Sequence, residues 1–240
     1  MQASRVARLA GSLGVAAVAL FLAGPLFIQL GLIEPFTGFQ IFLLGGLLGL
    51  LALASGVLGL FFTRPAAYRE GRRRALVGTV LGALVTAAIL MGARGGRGVP
   101  AINDITTNPD DPPAFASDPW KHGRDMRYPA GFTEQQRAGY PDLAPIVVPL
   151  PPAAALERVA SLFASNGWVV TQKDPVSNTL TGTGTSRLFK FVDDIVVRVR
   201  PQDGGSVVDM RSKSRVGKGD MGANAARIRK LTAELKGAAS

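Results

Sequence analysis

The sequence predicts a membrane α-helical anchor followed by a soluble α+β domain, whose antiparallel sheet of about four strands carries two helices on one face. Three observations predict it. Three long apolar runs, broken by one basic loop, fill residues 1–93, and each approaches the roughly 20 residues that a spanning helix needs. After Gly92 the composition turns to Gly, Pro, Asp and Thr and then to that of an ordinary soluble domain. Within 151–240 the apolar periodicity changes from helical to alternating and back, giving helix, four strands, helix.

The spans are expected at about 9–32, 39–62 and 75–92. Leu9–Leu32 is apolar apart from Ser12 and Gln29, and Phe39–Phe62 carries no charge. Arg5 and Arg8 before the first run also suit a signal peptide, but Pro25 is a poor residue after a cleavage point at Ala23-Gly24, and the run continues to Leu32; it is read as retained. Arg64, Arg69, Arg72, Arg73 and Arg74 separate the second and third runs, whereas the loop at 33–38 carries only Glu34. The positive-inside rule then puts the N-terminus and the Arg-rich loop in the cytoplasm and all that follows Gly92 on the far side, against the weaker pull of Arg94 and Arg97. Gly45/Gly49, Ser55/Gly59 and Gly78/Gly82 have the small-xxx-small spacing that lets helices approach in lipid, here read as packing within the anchor rather than a dimer face. The runs hold no ionisable residue, which argues against transport or proton relay through them.

Residues 94–100 read as a flexible linker, with Gly92, Gly95, Gly96 and Gly98 around two arginines. Residues 101–150 read as an extended cover segment of the 101–240 domain. Its Asp104, Asp110 and Asp111 match no calcium loop and are read as turn residues. Trp120, Tyr128, Phe132 and Tyr140 are expected to pin it to the domain, and His122 is read as a surface histidine. Residues 101–146 hold four Lys/Arg against seven Asp/Glu, and residues 187–240 hold twelve against six. An acidic cover over a basic sheet face is therefore one possible arrangement; an open basic face is the other.

In the folded part, Pro151-Pro152 starts a helix with Leu156, Val159, Ala160 and Phe163 on one face, and Asn166-Gly167 ends it. Trp168–Thr171 is a short strand and Asp174-Pro175 a turn. Asn178–Phe191 is extended, and the glycines of its TGTGT core mark a bulge or a close approach; no Lys-Ser/Thr pair or helix follows, as a phosphate loop would require. Ile195–Arg200 alternates, with Ile195, Val197 and Val199 on one face and Val196, Arg198 and Arg200 on the other. Pro201 should end that strand, and Asp203-Gly204-Gly205 should turn the chain into Ser206–Arg215. Asp220 then caps a last helix with Ala225, Ile228, Leu231 and Leu235 inward.

If this hairpin pairs as written, Arg198, Arg200, Arg211 and Arg215 crowd one surface with Asp209 between them. Like charges side by side on a sheet are unfavourable. Either Asp193, Asp194, Asp209 and Asp220 compensate internally, or the guanidinium groups hold an anionic ligand. On the second reading the candidate binding residues are Arg198, Arg200, Arg211, Arg215, Asp104 and Asp194. The chain has no Cys and one His, which excludes disulfides, thiolate metal sites and His-rich metal sites. Neither metal nor cofactor is expected.

Ile102–Phe115 (INDITTNPDDPPAF), Tyr140–Ile146 (YPDLAPI), Phe191–Pro201 (FVDDIVVRVRP) and Met210–Arg229 (MRSKSRVGKGDMGANAARIR) occur in this order. Together they resemble the family called domain of unknown function 1499, over about 101–238. The resemblance implies a domain boundary and brings no activity, substrate or catalytic residue with it. It directs attention to Asp104, Asp193, Asp194, Arg198, Arg211, Ser214, Arg215, Gly222 and Asn224.

Two functions are then open. The preferred one is a non-catalytic binding or accessory domain, tethered to a bacterial inner membrane with its soluble part periplasmic or extracytoplasmic. Its partners would be membrane lipid and an anionic ligand or an envelope protein, with the oligomeric state open. The alternative is an envelope hydrolase or transferase with Asp104 or Asp194 as general base and the arginines stabilising an oxyanion or phosphate; no nucleophile elbow or Ser/His/Asp set supports it. Nucleic acid is not an expected partner, because the basic strands lack interleaved aromatics.

Overall fold

The structure, a computed structural model, describes residues 4–64, 71–115, 120–121 and 124–237. His122 and Arg69 lie outside the described residues. The chain divides into two compact units, Met1–Arg94 with Arg187–Lys190, and Gly95–Ser186 with Phe191–Ser240.

The first unit holds α1 (Arg5–Gln29), α2 (Pro35–Phe62) and α3 (Arg72–Ala93), all three long and apolar enough to cross a membrane. All three start earlier than the apolar runs predict, because residues that precede each run fill the first turn of its helix. Ser4 accepts a hydrogen bond from the Ala7 amide, which brings Arg5 and Arg8 into α1, and Arg72–Arg74 form the first turn of α3. Gly38, Gly45, Ala52 and Gly59 are buried at seven-residue intervals along α2, the period at which a seam keeps facing its neighbours. A side chain at Gly45 would strike the backbone of Phe21 in α1, and one at Gly82 of α3 would strike that of Leu53 in α2. The small residues thus face neighbouring helices of the same chain.

A 3-10 turn, Arg94–Gly96, follows α3, and the second unit holds β1 (Asp104–Thr106), β2 (Trp120–Lys121), β3 (Arg124–Asp125), α4 (Phe132–Gly139), β4 (Ile146–Val148), α5 (Pro152–Ser165), β5 (Val169–Asp174), β6 (Thr179–Thr185), β7 (Val192–Gln202), β8 (Gly205–Ser214) and α6 (Ala223–Gly237). The main sheet is antiparallel and has six strands, in the order β1-β8-β7-β6-β5, with β4 also on β8. Four of them are the expected ones. The other two, β1 and β4, come from the cover segment and lie end to end along one edge of β8, opposite Arg211–Lys213 and Ser206–Val208 respectively. Strands of three residues are too short to show a period of two.

The helices cover one face of the sheet. Leu156, Val159 and Phe163 of α5 and Ile228, Leu231 and Leu235 of α6 pack with Ile195, Val197, Val199, Val208 and Met210. Gly167 ends α5 at a φ of 69°, and Asp220 caps α6 by accepting hydrogen bonds from the amides of Gly222 and Asn224, both at 2.8 Å. The opposite face is covered too: Val196 is fully buried against Phe115 and Met126.

Three local expectations need correction. Pro201 does not end its strand; β7 runs on to Gln202. The last β6 partner of β7 is Arg198, so Pro201 has one side free of a neighbour and its missing N–H costs the ladder little. Asp104 is not a turn residue but the first residue of β1. The short strand expected at Trp168–Thr171 runs from Val169 to Asp174, with a register shift between Val170 and Gln172. That irregularity lies opposite the TGTGT glycines: a side chain at Gly182 would run into the Val169 carbonyl and the Phe163 ring.

Candidate functional site

Alternation fixes what meets on the covered face. With Ile195, Val197 and Val199 turned to the helices, Asp194, Val196, Arg198 and Arg200 point the other way, and in β8 Asp209, Arg211 and Lys213 do the same. The register sets Arg198 across from Asp209, Val196 across from Arg211, and Asp194 across from Lys213. On the far edge β1 sets Asp104 across from Lys213. Opposite charges therefore face one another across strands, the arrangement that relieves the crowding of arginines.

At the centre, Arg211 is 2% exposed and Asp104 fully buried. Arg211 Nε and Nη2 donate to the two carboxylate oxygens of Asp104, each at 2.8 Å, the bidentate fork that suits guanidinium to carboxylate. Nη2 also donates to the Met126 carbonyl at 2.7 Å and Nη1 to that of Pro113 at 3.2 Å. The rings of Phe115 and Tyr128 lie 4.7 Å and 5.4 Å from the guanidinium carbon, within cation–π range. Lys213 Nζ adds a third donor to Asp104 at 2.8 Å. Arg211 thus ties β8 to three points of the cover segment. Beside it burial pushes the Tyr128 hydroxyl well above its usual range.

Toward the hairpin turn, Arg198 Nη2 and Arg200 Nε both donate to a single oxygen, Asp209 Oδ2, at 3.0 Å and 2.9 Å. Asp209 is fully buried, whereas Arg200 is 44% exposed. The second counter-charge of Arg198 is Asp111, which it reaches at 2.8 Å and which is 63% exposed. The hydrogen bond from Arg198 holds the Asp111 carboxyl below its ordinary value. At the opposite end Arg215 forks onto Asp194, at 2.8 Å and 3.0 Å.

All six candidate residues of the sequence reading therefore lie in this region, in three ion-pair groups: Asp104 with Arg211, Arg198 and Arg200 with Asp209, and Asp194 with Arg215. Sequence reasoning missed a second polar cluster at the α6 side of the sheet. Arg227 donates to Asp193 at 2.7 Å, to Ser212 at 2.8 Å and to Asn224 at 2.7 Å. The fully buried Asn224 in turn donates to Ser214 at 2.9 Å. Gly184 leaves the space for Arg227, since a side chain there would sit 2.9 Å from its Nε. The signal available was the glycine itself and the presence of Asp193 and Asn224 in the family-like motifs; nothing singled out Arg227. Also missed was Gln136 of α4, 1% exposed and bonded to the β1 backbone.

A cleft of about 380 Å³ opens between Thr107–Asp110 and Tyr140–Pro145, with Gln136 and Arg137 on its wall. Arg137 pairs with Asp110 there. Among the described residues no three His, Cys, Asp or Glu side chains are grouped to hold a metal ion.

No curated protein matches the chain. The family model described as "Protein of unknown function (DUF1499)" matches residues 104–235, from the buried Asp104 of β1 to Leu235, a core residue of the last turns of α6. The ion-paired sheet face, nearly all of its cover, α5 and most of α6 fall inside that match, and the chain belongs to the DUF1499 family.

Proposed function

We propose that the protein is a membrane-anchored, non-catalytic binding or accessory domain of a bacterial cell envelope. Residues 1–93 form the inner-membrane anchor, residues 94–100 the linker and residues 101–240 the working domain on the outer side. The N-terminus and the loop after α2 face the cytoplasm, as the arginine placement favours. The ligand is anionic, a phosphate or carboxylate on a lipid or an envelope partner.

One observation carries this reading: two guanidinium groups, Arg198 and Arg200, share one buried carboxylate oxygen of Asp209, and the remaining counter-ion, Asp111, is exposed. An incoming anion exchanges for Asp111 while Asp209 stays as the floor. Arg211, Arg215, Asp104 and Asp194 support that face by fixing the cover segment and the strand ends. The hydrolase or transferase alternative gains nothing from Asp104, whose two oxygens are held by Arg211 and Lys213, or from Asp194, forked onto Arg215.

Native mass spectrometry of the full chain, extracted gently from membrane, tests the reading. The expected result is a co-purified anionic mass that Arg198→Ala and Arg200→Ala each reduce and that Asp111→Asn retains. A clean mass without adduct, or an adduct indifferent to both arginines, would overturn it.

A further inference from the structure

We infer that α1 and α3 form a groove for an anionic phospholipid, at the helix end remote from the soluble domain's point of attachment. The groove has a volume of about 750 Å³, and Arg8, Arg73 and Arg74 line it together with Ser12, Val15 and Val77. Its polarity is graded along the helices. The arginines stand in the first turns of α1 and α3. Ser12 is one turn further along α1, and Val15 and Val77 continue the lining toward the helix centres. At about 1.5 Å rise per residue, Arg8 and Val15 are about 10 Å apart along the axis. A phosphate headgroup among the arginines would therefore have its acyl chain beside Val15, which is 59% exposed. Free phosphate has no use for the apolar half; a phospholipid uses both.

Among the described residues the charge at this end is unbalanced: none of those lining the groove is acidic, and Glu34, the one described acidic residue of this unit, precedes α2 at its other end. Both lining helices start here, so both present the positive ends of their dipoles. Ser4 caps α1, and among the described residues no side chain caps α3; the amides of a first helical turn suit an anion. Close helix packing shapes the floor: a side chain at Gly14 would come within 3.1 Å of the Gly78 Cα. Topology alone would be served by arginines anywhere on the loop. Their convergence with Ser12 and exposed valines on one groove is what recognises a headgroup and chain together, as basic clefts between spanning helices do.

The inference rests on the anchor spanning a bilayer, and the site is separate from Arg198 and Arg200. The test begins by reconstituting the full chain into lipid nanodiscs. It then measures, by native mass spectrometry of the released protein, retention of phosphatidylglycerol against phosphatidylcholine supplied in equal amounts. Phosphatidylglycerol should be retained preferentially, and Arg73→Gln/Arg74→Gln should lower its retention by about fivefold per arginine. Arg94→Gln/Arg97→Gln, which removes the same charge outside the groove, should leave retention unchanged. Val15→Trp, which alters no charge, should also lower it by blocking the chain's path. Equal retention of the two lipids, equal losses in the two arginine pairs, or displacement by inorganic phosphate would overturn the assignment alone. Failure to enter the nanodisc would overturn it together with the membrane anchor.

Discussion

Gln136 hydrogen-bonds both backbone groups of Thr106: its Nε2 donates to the Thr106 carbonyl at 2.7 Å and its Oε1 accepts from the Thr106 amide at 2.9 Å. The side-chain amide thereby continues the ladder beyond β1, at the end of the sheet. Gln136→Ala should cost about 2–4 kcal/mol, since two buried backbone groups lose their partners. Gln136→Glu should be pH-dependent. Only the protonated acid can donate to the carbonyl, so burial raises the folded pKa. Stability is then present below the unfolded value of about 4.3 and lost as pH rises. Thermal unfolding of the full chain in detergent at pH 4 and pH 8 checks this; equal midpoints for Gln136→Glu would refute it.

The buried pair of Asp104 and Arg211 should be the most sensitive point of the domain. Asp104→Ala strands two cations, Arg211 and Lys213, in the interior, and should cost about 3–5 kcal/mol. Lys213→Met leaves the bidentate fork intact and should cost well under half as much. Chemical denaturation followed by tryptophan fluorescence compares the two, and a greater loss for Lys213→Met would contradict the assigned geometry.

Around Asp209 the cost should follow exposure. Arg200→Ala removes a half-exposed partner and should change stability by about 1 kcal/mol or less. Asp209→Asn leaves two guanidinium groups without their shared carboxylate and should cost about 2–4 kcal/mol. A double-mutant cycle between Asp111 and Arg198 should return a coupling of only about 0.2–1 kcal/mol, since Asp111 is mostly exposed. A much larger coupling would mean that Asp111 is not displaceable.

Acid should loosen the cover segment. Arg198 holds Asp111 below its ordinary value of 3.8, the hydrogen bonds of Arg127 bring Asp125 down to about 2, and Arg229 lowers Asp142. Depressed folded values mean that the associated stability is complete above the unfolded pKa and is lost as pH falls through the folded ones. The thermal midpoint should therefore stay level from pH 6 to about 4 as far as these groups contribute, and fall toward pH 2. Asp125→Asn should shift the lower end of that fall; an unchanged profile below pH 3 would count against the Arg127 pairing.

The hairpin was legible because period-two patterning reports directly which residues share a face: Ile195, Val197 and Val199 on one side, Arg198 and Arg200 on the other. The α6 core was legible for the same reason at helical spacing. Asp209 and Asp194 were legible as counter-charges and do pair with Arg198, Arg200 and Arg215; the partner of Arg211 was not. Asp104 is 107 residues from Arg211 in sequence, and the three-residue β1 has no periodicity to announce it. Charge balance suggested an acidic cover over a basic face, but only the register of β1 could select Asp104 rather than its neighbours Asp110 and Asp111. Gln136 was illegible for another reason: an amide that mimics backbone leaves no compositional trace.

At the far end of the sheet, β5 closes the order with its outer backbone edge and with Val169 and Val170 both exposed. Such an edge is a template for a second chain. Its register shift interrupts the regular spacing of donors and acceptors, and Lys173, paired with Glu157 at 2.8 Å, adds charge to the same strand. A self-docking copy would have to match an irregular ladder and accommodate that charge. The irregularity thereby disfavours fibre-like growth from one domain to the next.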